Sequence, residues 1–149
     1  MIEVKPFEPH DLGEIEVQAQ QAAEMAGMGD WQDLGDTLVA AGPCWTVRHG
    51  GRVIGCGGLG VMWRGRAEAW CFVARDVPKT LWPALHRTVE RTIAATAREL
   101  GLRRIEASCA YGWPPGRRWL RLLGFQEECV ARCYAPDGAD FWKFARVAA

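Results

Sequence analysis

A chain of 149 residues, 49% apolar and 24% charged, is long enough to bury a real core and fits a single domain over 1–149. Eighteen basic residues balance eighteen acidic ones for a net charge of zero, so the chain lacks the basic excess that bulk nucleic-acid binding needs. No apolar run is long enough to span a bilayer, and the opening MIEVKPFEPHD carries acids where a secretion signal would be apolar.

IEVKPF (2–7) alternates and reads as a first strand, ended by Pro9. Asp11 is expected to cap a helix over 11–25, with Leu12, Ile15, Ala19, Ala22 and Ala26 as its apolar stripe and Gly27 and Gly29 closing it. A shorter helix over 31–41 follows Asp30 as its cap. CWTVRH (44–49) and RVIGCGGLGVM (52–62) flank Gly50-Gly51, a two-residue hairpin signal. RAEAWCFVA (66–74) pairs back, and its apolar second half suits a central strand covered on both faces.

Leu81, Leu85, Val89, Ile93, Ala97 and Leu100 recur at helical spacing over 79–101, with Pro83 in the first turn and Gly101 as the stop. RRIEASCAY (103–111) reads as a strand, 115–123 as a helix, and 125–134 and 140–147 as strands around the Asp137-Gly138 turn. The order β-α-α-β-β-β-α-β-α-β-β predicts an α+β domain, a mostly antiparallel sheet of six to seven strands flanked by helices.

Several patterns invite chemistry. Gly55, Gly57 and Gly60 spell G-x-G-x-x-G, but a strand rather than a helix follows them, so a dinucleotide site is not expected. Ser108 lacks the nucleophile elbow of a serine hydrolase. Glu68 and Glu106 lie among apolar strand residues, where a carboxylate is either a base with a raised pKa or an edge charge. Arg103, Arg104, Arg117, Arg118 and Arg121 could form a phosphate pocket, a basic partner-facing patch or a solvated face.

Six cysteines contain no C-x-x-C pair and lie far from the three histidines, so no metal site is expected. Free thiols in apolar strands suit a reducing compartment. Asparagine is absent, serine occurs once, and the eight tryptophans exceed the needs of one small core, which suggests a protein-binding face.

The element order, the hairpin CWTVRHGGRVIGCGGL and the run WLRLLGFQEE resemble the GNAT (Gcn5-related N-acetyltransferase) superfamily over nearly the whole chain. The resemblance implies an acetyl-CoA gap between the fourth and fifth strands. It places pantetheine along Phe72, Val73 and Ala74, with Arg75 and Lys79 near the pyrophosphate. The family's Q/R-x-x-G-x-G/A loop is replaced by ARDVPKTLWPALH, without glycine and with two prolines that lack N–H donors. A tyrosine expected four residues before the L-G-F glycine is Leu120, which donates no proton.

AWCFVARDV and RRWLRLLGFQEE further resemble the GNAT-like proteins of tailed phages, including internal virion proteins of T7-like podophages. That resemblance implies a non-catalytic structural or assembly component with other virion proteins as partners, assembled in the host cytoplasm, with no cofactor. The alternative is a cytoplasmic acetyl-CoA-dependent N-acetyltransferase with a divergent loop, using Glu68 as base and Tyr111 as acid. A third reading is a binder of a small molecule or peptide in an empty cleft.

Overall fold

In the computed structural model, which describes residues 1–148, the strands are β1 (Ile2–Pro6), β2 (Cys44–His49), β3 (Arg52–Trp63), β4 (Arg66–Val73), β5 (Arg104–Ala110), β6 (Gln126–Ala131) and β7 (Phe141–Val147). They form one seven-stranded sheet in the order β1-β2-β3-β4-β5-β7-β6. Every neighbouring pair is antiparallel except β4 and β5. The expected α+β architecture is therefore present. The β2–β3 hairpin turns on Gly50 and Gly51, both with positive φ (58° and 76°), as a turn matched to strand twist requires.

The helices are α1 (Asp11–Glu14), α2 (Ala19–Ala26), α3 (Trp31–Ala41), α4 (Trp82–Leu100) and α5 (Pro114–Leu122). Sheet register divides them between two faces. Gly55, Gly57 and Leu59 of β3 pair with Val73, Cys71 and Ala69 of β4, so these residues share one face. That face belongs to α4 and α5: a Cβ on Gly55 would lie 3.9 Å from Leu85, and one on Gly116 would lie 3.4 Å from Cys109. Thr46, Cys56, Trp70 and Phe72 alternate to the other face, where α1 and α3 pack. One buried cluster gathers Phe7, Leu12, Ile54, Phe72 and Leu85, and a second gathers Leu59, Ile105, Leu123, Phe125 and Phe144.

The expected helix over 11–25 is broken. Ile15 turns extended (φ −76°, ψ 130°), residues 16–18 run beside β4, and α2 begins afresh at Ala19. This interruption resets the helical phase, so Ala19, Ala22 and Ala26 are exposed while Gln21 is the buried residue of α2. Asp11 is the first residue of α1 rather than its cap, a position held by His10.

Elsewhere the differences are small. Residues Lys79–Leu81 form a 3-10 turn before α4, Pro83 lies in that helix's first turn, and Gly101 (φ 60°) ends it. Of the strand glycines, Gly58 rather than the G-x-G-x-x-G set has the tightest surroundings: a Cβ there would stand 2.5 Å from the Cys44 Cβ and 2.9 Å from Trp70 Nε1.

A cleft where the fourth and fifth strands part

β4 and β5 pair in parallel only from Arg66 to Glu68 against Arg104 to Glu106. The start of the pair is held by Glu106, which accepts from Arg66 Nε and lies 3.4 Å from Arg104 Nε. The hydrogen bond from Arg66 outweighs the upward push of burial and, with that from Arg104, holds the Glu106 pKa below the usual carboxylate value. Beyond this clamp the strands diverge, and a cavity of about 400 Å³ opens between them and beneath α4 and α5. Its walls include residues of both sheet faces, among them Cys71 and Cys109 on one and Trp70 and Ser108 on the other.

Five of the eight tryptophans, at 45, 70, 82, 113 and 119, line this cavity. Trp82 meets Trp119 edge to face at 5.8 Å, and the Trp119 indole donates to His86 Nδ1 at 3.1 Å. Trp31 and Trp63, 40% and 61% exposed, lie on the outer surface, and half-buried Trp142 sits outside the cleft between Tyr111 and Arg117. Most of the tryptophan surplus is thus spent inside the cleft.

The residues that the resemblance assigns to pantetheine are already engaged. Gln21, 8% exposed, accepts from the Val73 N–H at 2.8 Å and donates to the Cys71 carbonyl at 2.7 Å. The Gln18 N–H donates to the Val73 carbonyl at 3.2 Å, and the Arg75 N–H donates to Glu16 O at 2.9 Å. Val17 bridges Ala74 in antiparallel fashion. Residues 16–18 thereby act as a short extra strand on the edge of β4, and Gln21 of α2 adds its carboxamide beside them.

Ala74 turns its own N–H toward β3, donating to Ile54 O, and Phe72 packs on the opposite face against Trp70. Of the three expected pantetheine residues, only Val73 lines the cavity. Arg75 lies 3.4 Å from Glu16, and Lys79 is exposed on the 3-10 turn. Neither reaches the cavity wall. With the edge satisfied, no glycine in the turn and Pro78 removing a donor, these residues do not fit acetyl-CoA in the family's binding mode.

The residues considered for catalysis are not brought together. Glu68 accepts from the Tyr134 hydroxyl at 3.4 Å and lies 3.6 Å from Lys143 Nζ, outside the cavity wall. Tyr111 is 55% exposed just past β5 and stacks on Trp142 at 5.3 Å. Leu120 does line the cavity, as a half-buried apolar wall.

The thiols bordering the cavity are poor nucleophiles: burial pushes Cys56 and Cys71 up to about 12 and Cys109 to about 11. Three of the five clustered arginines are matched by acids. Arg104 binds Glu128, and Arg117 (2.6 Å) and Arg121 bind Glu127. Arg103 packs against Gly65, and Arg118 borders the cavity.

His10, Asp11 and Glu14 converge closely enough to hold a cation. The Arg48 guanidinium already supplies that charge, at 2.9 Å from Asp11 and 3.1 Å from Glu14. Sequence reading missed Gln21 and the cleft tryptophans as a set. The available signal was a glutamine in the helix following a segment that could run as a strand.

Ser108 Oγ is buried beside the cavity without a hydrogen-bond partner. Ser108→Ala is therefore expected to stabilise the protein by about 1 kcal/mol, since it removes an unsatisfied hydroxyl. Urea titration checks this; a destabilised variant would mean the hydroxyl has a partner.

No protein-family model and no curated protein matches the chain. Solved structures do. A GNAT-family acetyltransferase from Bacillus anthracis aligns over 98% of this chain and 94% of its own, with TM-score 0.74 at 16% identity. The ribosomal-protein-S5-alanine acetyltransferase from Vibrio fischeri covers 98% and 92% with TM-score 0.73 at 14% identity. A GNAT-family acetyltransferase from Elizabethkingia anophelis, solved with acetyl-CoA, covers 99% and 98% with TM-score 0.71 at 11% identity. The chain has the fold of these enzymes.

Proposed function

We propose that this chain, with the GNAT fold as its scaffold, has a degenerate acetyl-CoA site and works without acyl transfer, as a binding or assembly component. The observation that carries this reading is the Gln21 carboxamide seated on Cys71 O and Val73 N–H. An incoming pantetheine would have to displace it together with the strand formed by residues 16–18. A fold supports many activities, and the site decides among them.

In this reading the partners are other proteins of a phage particle, a setting that rests on the motifs AWCFVARDV and RRWLRLLGFQEE. The enzymatic alternative keeps Glu68 as base, but Lys143 and Tyr134 already engage that carboxylate, which stands apart from the cleft. Isothermal titration of the purified protein with acetyl-CoA is expected to give no binding heat. Micromolar binding, or release of free thiol when amines are added, would overturn the reading.

A further inference from the structure

The cleft remains open although acetyl-CoA does not fit it. Its composition describes a different guest. Arg118 is the only Asp, Glu, Lys, Arg or His side chain among the residues bordering it, and that arginine is exposed. The three bordering thiols are neutral at pH 7, because burial holds their pKa values at about 11 to 12. A charge taken deep into such a space would lose its hydration and meet no opposite charge. The broad walls are indole rings from β2, β4, α4, α5 and the turn before α5, and flat aromatic surfaces favour edge or offset contact with another ring.

The polar side chains Gln21, Thr88 and Thr92 on this wall are already hydrogen-bonded to backbone groups. Trp70 Nε1 and Ser108 Oγ lack partners but are fully covered, the indole nitrogen beneath Gly58, so neither is open to a guest. A volume of about 400 Å³ lies within the range of drug-sized ligand sites.

We propose that the cleft binds an uncharged, ring-bearing apolar small molecule. The inference rests on the reading that acetyl-CoA does not use this space. It supplies the ligand class that reading leaves open.

The test uses the full chain and the uncharged fluorophore N-phenylnaphthylamine as probe for the apolar, ring-bearing body. Saturable one-to-one binding is expected, with tryptophan emission quenched as probe emission rises. Ala69→Leu adds bulk to the cleft wall and is expected to weaken binding about tenfold. Trp63→Ala, outside the cleft, is expected to leave it unchanged. If Ala69→Leu fails to fold by circular dichroism, Leu120→Trp fills the same space from α5 and carries the same expectation.

A linear, unsaturable rise in probe emission, or equal affinity in the filled variants, would overturn the site itself. Tighter binding of the sulfonated analogue anilinonaphthalene sulfonate would overturn the uncharged class. If acetyl-CoA displaces the probe, this inference and the reading beneath it both fall; if the probe simply does not bind, only this inference falls.

Discussion

Gln21→Leu is expected to destabilise the protein by about 2–4 kcal/mol, because it keeps the side chain's bulk while leaving two β4 backbone groups without partners. Those groups are the Val73 N–H and the Cys71 carbonyl, bonded at 2.8 and 2.7 Å to one carboxamide. For a chain of this size the midpoint of thermal unfolding should fall by about 5–15 °C. Differential scanning calorimetry reads the shift directly. An unchanged midpoint would mean that the β4 edge does not depend on this side chain, and the argument against pantetheine would fall with it.

Asp11→Ala is expected to cost about 2–4 kcal/mol near neutral pH, through loss of a buried charged hydrogen-bond network. Asp11 is 3% exposed. It accepts from the Thr46 hydroxyl, from the Glu8 N–H at 3.0 Å and from Arg48 at 2.9 Å. Burial alone would raise its pKa, but the Thr46 and Glu8 hydrogen bonds and the Arg48 charge outweigh burial and hold it below the ordinary 3.8.

A folded-state pKa below the unfolded one makes this contribution complete above the unfolded value. It is then lost as pH falls through 3.8 toward the lower folded pKa. The gap between wild type and Asp11→Ala in urea titrations should therefore be widest near neutral pH and close below pH 3.8. A gap that stayed constant in acid would show that Asp11 acts by shape rather than by charge.

Local pattern was enough to place most of the sheet. The β2–β3 hairpin, with Gly50-Gly51 between CWTVRH and RVIGCGGL, carries its turn chemistry and its alternation within twenty residues. The run WLRLLGFQEE likewise announces its helix stop, since Gly124 adopts φ 89° before β6.

The sequence suggests one helix over 11–25 because EVQ at 16–18 fits a helical row as readily as a strand. Only the unpaired edge of β4, more than fifty residues away, decides between them. A buried glutamine looks like a surface residue until its long-range partners are known. The tryptophans posed the same problem: their number was legible, but composition does not say whether an indole faces solvent or the split between two strands.

The resemblance assigns Phe72, Val73 and Ala74 by strand position, whereas Glu68 is read from its apolar strand neighbours. Neither kind of signal carries the long-range partners: Glu68 is engaged by Lys143, Phe72 turns to the opposite face and Ala74 donates to β3.

The two rims of the sheet bear on how the protein behaves in a crowded solution. β1 is five residues long, alternates in charge through Glu3 and Lys5, and ends at Pro6, which has no donor to offer. β6 shifts register between Glu127 and Cys129 and carries acids beside the break. Neither rim presents a flat row of free amides, so a neighbouring copy gains little by docking strand to strand, and fibrillar polymerisation is disfavoured at both ends of the sheet.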